Sequence, residues 1–95
     1  MEQHSSRERR EVRFLGRVQG VGFRYTTRSL ARDFDVVGYV QNLADGSVRL
    51  LVEGELAELD QFIEAIEDEL GNFIQNTQTD RRPATGEFSD FRIMH

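Results

Sequence analysis

The chain passes from its first predicted strand to its first predicted helix through Gly16-Arg17-Val18-Gln19-Gly20-Val21-Gly22-Phe23-Arg24. Alternating apolar residues predict a strand over 11–18, and apolar residues at helical spacing predict a helix over 23–34. Gly20 and Gly22 let the backbone of the connection curl so that its N–H groups face inward, next to the positive N-terminal end of the helix. The connection is therefore either a cradle for an anion or a simple reversal of the chain.

Hydrophobic patterning in the rest of the chain predicts a second helix and a set of further strands. We expect, in order, a strand over 36–43, a turn over 44–47, a strand from 48 to Gly54, a helix over 56–70 ended by Gly71, a strand over 73–79, a turn over 82–86 and a last strand over 88–94. Two β-α-β crossovers that share a hairpin predict an α+β, ferredoxin-like split β-α-β sandwich. In this fold two helices cover one face of a mostly antiparallel sheet of four strands, to which a short C-terminal strand is added.

A chain of 95 residues fits one compact domain. Residues 1–9 are polar and show no periodicity, so we expect a flexible N-terminal arm there and a single domain over 10–95. No run approaches the roughly 18 apolar residues of a membrane span. The cytoplasm is the expected location.

The residue types that the chain lacks exclude several kinds of chemistry. All 12 cationic side chains are Arg, Lys and Cys are absent, and the only two His are His4 and His95. Without Lys there is no Schiff base and no Walker-type nucleotide loop, and without Cys there is no thiol catalysis, disulfide scaffold or Cys-rich zinc site. A Ser-His-Asp triad or a phosphohistidine would need a His at a chain end, where residues are usually poorly ordered.

Charge is strongly segregated along the chain, whose net charge is -5. Residues 1–32 carry 8 Arg and 3 acidic residues, whereas residues 33–69 carry 1 Arg and 11 acidic residues. The basic first third is either an anion-binding or nucleic-acid-binding region or a solvated surface that acidic residues balance.

Arg24 and Asn42 are the two polar residues whose positions are unusual. A cation in the first turn of a helix opposes the helix dipole, at a cost of about 0.3 to 1 kcal/mol, unless an acidic side chain or a bound phosphoryl group compensates. Arg28 and Arg32 follow at steps of four and are interpreted as solvated or paired with acids. Asn is uncommon in strands, so Asn42 either starts the hairpin turn or presents its amide for use. Because the second strand runs parallel to the first, we expect Asn42 and Arg24 to lie at one edge of the sheet.

These residues give the chain a resemblance to the acylphosphatase family. The family signature Gly-x-Val-Gln-Gly-Val-x-Phe-Arg is matched without a mismatch over 16–24. A second signature, with an aromatic residue, an Asn and spaced glycines, is matched by Gly38, Tyr39, Asn42, Gly46, Val48 and Gly54. The resemblance extends over residues 10–93, although residues 72–82 are more polar than the family's strand pattern.

The resemblance implies an enzyme that hydrolyses acyl phosphates, which are carboxyl-phosphate mixed anhydrides, to a carboxylate and inorganic phosphate. Arg24 and the backbone N–H groups of the loop would bind the phosphoryl oxygens, and the Asn42 amide would orient the attacking water; the loop residues are Gln19, Gly20, Val21, Gly22 and Phe23. A carboxylate leaving group has an ordinary pKa of about 4, so it can depart without a general acid. We therefore expect no metal and no cofactor.

Two other functions are compatible with parts of this pattern. A non-catalytic anion-binding or regulatory module would keep the loop without turnover, but the presence of both Arg24 and Asn42 favours an enzyme. RNA binding through the open face of the sheet is disfavoured by the acidic middle third and by the lack of a matching aromatic signature. The expected partners are a small acyl phosphate substrate and inorganic phosphate as product, with no nucleic acid and no membrane, and the expected state is a monomer.

Overall fold

The computed structural model describes residues 7–95, in which two helices pack against a five-stranded sheet. The elements are β1 (Arg7–Gly16), α1 (Phe23–Ala31), β2 (Val36–Asn42), β3 (Val48–Glu55), α2 (Leu56–Leu70), a 3-10 turn (Gly71–Phe73), β4 (Ile74–Pro83) and β5 (Phe91–Met94). The order of strands in the sheet is β4-β1-β3-β2-β5, and all neighbours are antiparallel except β2 and β5. The predicted ferredoxin-like α+β fold is confirmed, with β5 added beside β2.

The hydrophobic core lies between the sheet and the helices. Alternate residues of β1, β2 and β3 point toward α1 and α2, and the fully buried side chains include Val12, Phe14, Val40, Leu50, Val52, Leu59, Phe62 and Ile66. Burial of one such side chain stabilises the fold by about 1.5 to 3 kcal/mol. Because the core holds β1 and α1 firmly, the connection between them starts and ends at fixed points.

The first strand begins and ends at lower residue numbers than the sequence pattern predicts. It begins at Arg7, so residues 7–9 belong to the sheet and not to the predicted arm; positions 1–6 of that arm lie outside the described residues. The added residues are held by pairing with β3, where Glu8 lies opposite Gly54. The strand ends at Gly16 and not at Val18, because the register with β4 shifts there and the N–H of Arg17 donates to the carbonyl of Phe73 at 2.9 Å.

Helix α1 ends earlier than predicted, whereas α2 ends at Leu70 as predicted but without the expected left-handed glycine. Helix α1 stops at Ala31, and residues 32–34 continue as a tighter turn, because Asp33 and Phe34 donate to carbonyls three residues back, at 3.0 and 3.2 Å. Gly71 does not end α2 in a left-handed conformation; its φ is -57° and it begins the 3-10 turn. Within residues 7–95, neither helix is long and apolar enough to cross a membrane.

The last two strands also differ from their predicted bounds. Strand β4 continues to Pro83, because the longer β1 offers pairing partners as far as Glu8. Most of its side chains are exposed, as an edge strand requires, which accounts for the polar composition of this segment. Strand β5 starts at Phe91 and not at Phe88, whose ring instead packs edge-on against Tyr39 at 6.0 Å between centroids.

A buried carboxylate, Glu53, holds the segment between β4 and β5. Its oxygens accept hydrogen bonds from Arg9 Nε, the Thr85 N–H and hydroxyl, and the Gly86 N–H, at 2.8 to 2.9 Å. Burial by itself raises the pKa of Glu53, but these hydrogen bonds favour the ionised form and lower the pKa from 4.5 to about 2. The segment that leads into β5 is thereby fastened to β3.

Candidate active site

The connection between β1 and α1 is a loop with two glycines in the left-handed conformation, and both glycines line a small cavity. Gly20 and Gly22 have φ angles of 80° and 81°, a conformation that other residues rarely adopt, and an added Cβ at either position would meet no atom within 4 Å. The glycines are therefore needed for the path of the backbone and not for space. Within residues 7–95, no hydrogen bond is donated by the backbone N–H groups of residues 19–23. No side chain caps α1 either, so its first N–H groups stay available to an anion.

The side chain of Gln19 ties this loop to the β2–β3 hairpin. Its Nε2 donates to the carbonyl oxygens of Leu43 at 2.8 Å and of Ser47 at 2.9 Å. The same two carbonyls also accept backbone hydrogen bonds within the hairpin, from Gly46 and Leu43 respectively. Gln19 therefore fixes the distance between the loop and the residue that precedes the hairpin turn, Asn42.

Asn42 and Arg24 both line one small cavity. Asn42 is the last residue of β2 and lies on the same face as buried Val40, toward α1. The cavity has a volume of about 120 Å³ and is lined by Val18, Gly20, Gly22, Phe23, Arg24, Tyr25 and Asn42. The Oδ1 atom of Asn42 is buried, and no group among residues 7–95 donates a hydrogen bond to it. A buried amide oxygen without a partner is costly unless a ligand or water supplies the missing bond.

The structure brings together most of the residues that the sequence singles out. Gly20, Gly22, Phe23, Arg24 and Asn42 line the cavity. The side chain of Gln19 turns away to the hairpin, and Val21, whose side chain is 36% exposed, points to solvent. These two residues can contribute only their backbone N–H groups to a ligand in the loop.

Two residues close to Arg24, His95 and Tyr25, are not among the predicted site residues. Nη1 of Arg24 lies 3.4 Å from Nδ1 of His95, whose position at the chain end argued against a role. His4 lies outside the described residues. The alternation of β5 contains the signal, because Phe91, Ile93 and His95 fall on one side of the strand, and the first two pack against the core. Tyr25 lines the cavity although its side chain is 60% exposed.

Among the described residues that line the cavity, Arg24 carries the only charge, which is positive. None of the ion pairs within residues 7–95 involves Arg24. Two other arginines of the basic first third do have acidic partners: Arg9 pairs with Glu53 and Arg10 with Asp60, at 2.8 and 2.7 Å. In the described part of the chain, no three His, Asp or Glu side chains converge as metal ligands. The cavity is thus suited to an anion.

Comparison with known proteins agrees with this geometry. The family model for acylphosphatase matches residues 10–93. The chain is 44% identical over 87 residues to an acylphosphatase of Salinibacter ruber, an alignment that covers 90% of this chain and 92% of the relative. It is 42% identical over 84 residues to one of Paenarthrobacter aurescens, with 87% and 89% covered.

Comparison with solved structures also finds an acylphosphatase. The crystal structure of acylphosphatase from Bacillus subtilis superposes with a TM-score of 0.83 at 29% identity, covering 93% of this chain and 99% of that chain. The family model spans nearly the whole described domain, and it includes both the loop at residues 16–24 and Asn42. The chain belongs to the acylphosphatase family.

Proposed function

We propose that the chain hydrolyses acyl phosphates in the cavity between the β1–α1 loop and Asn42, with the phosphoryl group held by Arg24 and by the N–H groups of residues 19–23. One observation carries the proposal. Within residues 7–95, the backbone N–H groups of residues 19–23 donate no hydrogen bond, Arg24 has no ionic partner and Oδ1 of Asn42 has no donor, and Arg24, Asn42 and three of the loop residues line this cavity. A phosphoryl group with an adjacent water would satisfy all three.

The reaction is a displacement at phosphorus. The oxygen of water forms a bond to phosphorus while the bond from phosphorus to the carboxyl oxygen breaks, and the leaving carboxylate keeps the electron pair. The proton of the water passes to a non-bridging phosphoryl oxygen of the substrate, since no carboxylate lines the cavity. The products are a carboxylate and inorganic phosphate, and the ordinary carboxylic pKa of about 4 makes a general acid unnecessary.

Each part of the cavity has one task in this step. The transition state of phosphoryl transfer is loose and spreads negative charge over the equatorial oxygens, which the loop N–H groups and the forked guanidinium of Arg24 stabilise. These donors are in place before the substrate arrives, because the glycine conformations and the Gln19 bonds fix the loop. The Asn42 amide holds the water in line with the leaving group.

The proposal also covers cofactors, oligomeric state, location and partners. We expect hydrolysis without a metal or a cofactor, by a monomer in the cytoplasm that binds neither nucleic acid nor membrane. An anion-binding module without turnover is the alternative, since it could use the same loop.

The test is hydrolysis of benzoyl phosphate, followed by ultraviolet absorbance on the full chain, with and without EDTA. The proposal predicts turnover at the same rate in both conditions. Binding of inorganic phosphate without any hydrolysis would support the non-catalytic module instead. A rate that EDTA abolishes and a divalent cation restores would refute the metal-free step.

A further inference from the structure

A row of arginines leads away from the cavity along helix α1 and into the turn after it. Arg24 and Arg28 lie on α1 and Arg32 is its C-terminal cap residue, and their spacing of four residues corresponds to steps of about 6 Å along the helix axis. The helix contains no acidic residue, and none of the ion pairs within residues 7–95 involves any of the three arginines. Like charges at this spacing repel each other, so the row destabilises the helix unless an anion lies beside it.

A second cleft lies beside this row, near the start of β5. Its volume is about 460 Å³, and its lining consists of Arg28, Ala31, Arg32, Phe34, Val36 and Phe91. Among residues 7–95, four apolar side chains and two guanidinium groups line the cleft, and no acidic side chain does. Such a surface fits a short carbon chain that ends in an anionic group.

Tyr25 connects this cleft to the catalytic cavity. It lines the cavity, and its ring lies 5.7 Å from the guanidinium carbon of Arg28, which lines the cleft. An acyl group that extends from a phosphoryl group in the loop could therefore pass over the exposed face of Tyr25 and reach Arg28. About 6 Å of helix axis separates Arg28 from Arg24, a span that a four-carbon acyl chain can cover.

We infer that the cleft binds a second anionic group on the acyl part of the substrate, so that the preferred substrates are acyl phosphates whose acyl group ends in a carboxylate or a phosphate. The inference rests on the proposed function, because it places the phosphoryl group in the loop. Arg28 makes the nearer contact, and Arg32 receives longer substrates. Arg28 is a specificity residue in this account, and it has no part in the displacement at phosphorus.

The experiment compares two acyl phosphates of equal carbon number, butyryl phosphate and succinyl phosphate, which differ by a terminal carboxylate. Release of inorganic phosphate is followed for the wild type, Arg28→Gln, Arg32→Gln and the control Arg92→Gln. Arg92 lies on β5 and is exposed, and its substitution changes the net charge by the same amount. Hydrolysis of butyryl phosphate also reports whether each variant is folded.

The wild type should favour succinyl phosphate in kcat/KM. Arg28→Gln should lower this preference by about fivefold, through the KM for succinyl phosphate, as expected for loss of a partly exposed ion pair. Arg92→Gln should leave the preference unchanged. A preference that Arg28→Gln does not alter would overturn the inference, and so would an equal loss for both substrates, which indicates general attraction of anions. If the wild type hydrolyses neither substrate, the proposed function itself fails.

Discussion

In the proposed reaction Arg24 contacts the phosphoryl group and Asn42 contacts the attacking water, so their removal should have different kinetic effects. Arg24→Gln removes a contact to the phosphoryl oxygens, so KM should rise and kcat should fall, with a loss of about 10³-fold in kcat/KM. Asn42→Ala should lower kcat by about 10²-fold with little change in KM, because it frees the water and leaves the phosphoryl contacts in place. Initial rates with benzoyl phosphate measure both parameters.

Two neighbouring residues provide matched controls. Arg17 is exposed before the loop, and Gln41 precedes Asn42 on the opposite face of β2. Arg17→Gln and Gln41→Ala should keep wild-type kinetics. If Asn42→Ala retains the wild-type rate, Asn42 does not position the attacking water.

Some residues at the cavity could be predicted from the sequence and others could not. Arg24 and Asn42 could be predicted because each occupies a position that its residue type disfavours, the first turn of a helix and the end of a strand. His95 and Tyr25 could not be singled out in the same way. Their positions depend on β5 lying beside β2 and on how α1 is rotated, and both are results of packing between distant segments.

Among the elements, the side chain of Gln19 joins the β1–α1 loop to the β2–β3 hairpin. Gln19→Leu removes both hydrogen bonds to Leu43 and Ser47, whose carbonyls keep their backbone donors. The free energy of unfolding should therefore fall by only about 1 to 2 kcal/mol. The kcat/KM for benzoyl phosphate should fall by about tenfold, because small displacements of the loop from Asn42 misplace the water.

Urea denaturation and initial rates on the same preparation separate these two effects. Gln78→Leu, at an exposed position of β4, is the control for loss of a surface amide. It should change neither the free energy of unfolding nor kcat/KM appreciably. A Gln19→Leu variant that is less stable yet fully active would show that the link supports the fold and does not position the site.

The elements differ in how well the sequence predicts them. Helix α2 has the predicted bounds, because its apolar stripe is continuous and Glu55 precedes it in an extended conformation. Strand β4 was predicted too short, because its polar residues give no alternation and its pairing partner is the N-terminal part of β1. The last strand is predicted to start at Phe88, whereas the ring of Phe88 lies against Tyr39 and under the guanidinium of Arg9, and β5 starts at Phe91.

At the scale of the whole molecule, Glu53 couples stability to pH. Its pKa of about 2 lies below the ordinary value of 4.5, so the ionised form binds its partners in the folded state. This contribution is complete above pH 4.5 and is lost as the pH falls toward 2. A shift of this size corresponds to at most about 3 kcal/mol of the free energy of unfolding.

The comparison of the wild type with Glu53→Gln isolates this contribution from the other carboxylates. Urea denaturation at pH 7, 4 and 3 should show the wild type losing more stability than the variant across this range. Equal losses in the two proteins would mean that the hydrogen bonds to Thr85 and Gly86 do not hold Glu53 ionised.

The distribution of charge is the whole-molecule property that the sequence reveals only in part. The basic first third is visible from the sequence, which leaves open whether it binds an anion or pairs with acids. The structure divides it: Arg9 and Arg10 pair with acids across the fold, whereas Arg24, Arg28 and Arg32 do not within residues 7–95. The division follows from β1 lying beside β3 and from α1 lying over β2 and β5.

An amide NMR titration with inorganic phosphate shows whether the loop and Arg24 hold a phosphoryl group. The backbone N–H signals of residues 19–24 should shift saturably in the wild type, and Arg24→Gln should bind phosphate much more weakly. The proposed phosphate binding would be contradicted if these signals stayed in place while phosphate shifted signals elsewhere on the protein, or if Arg24→Gln bound phosphate as tightly as the wild type.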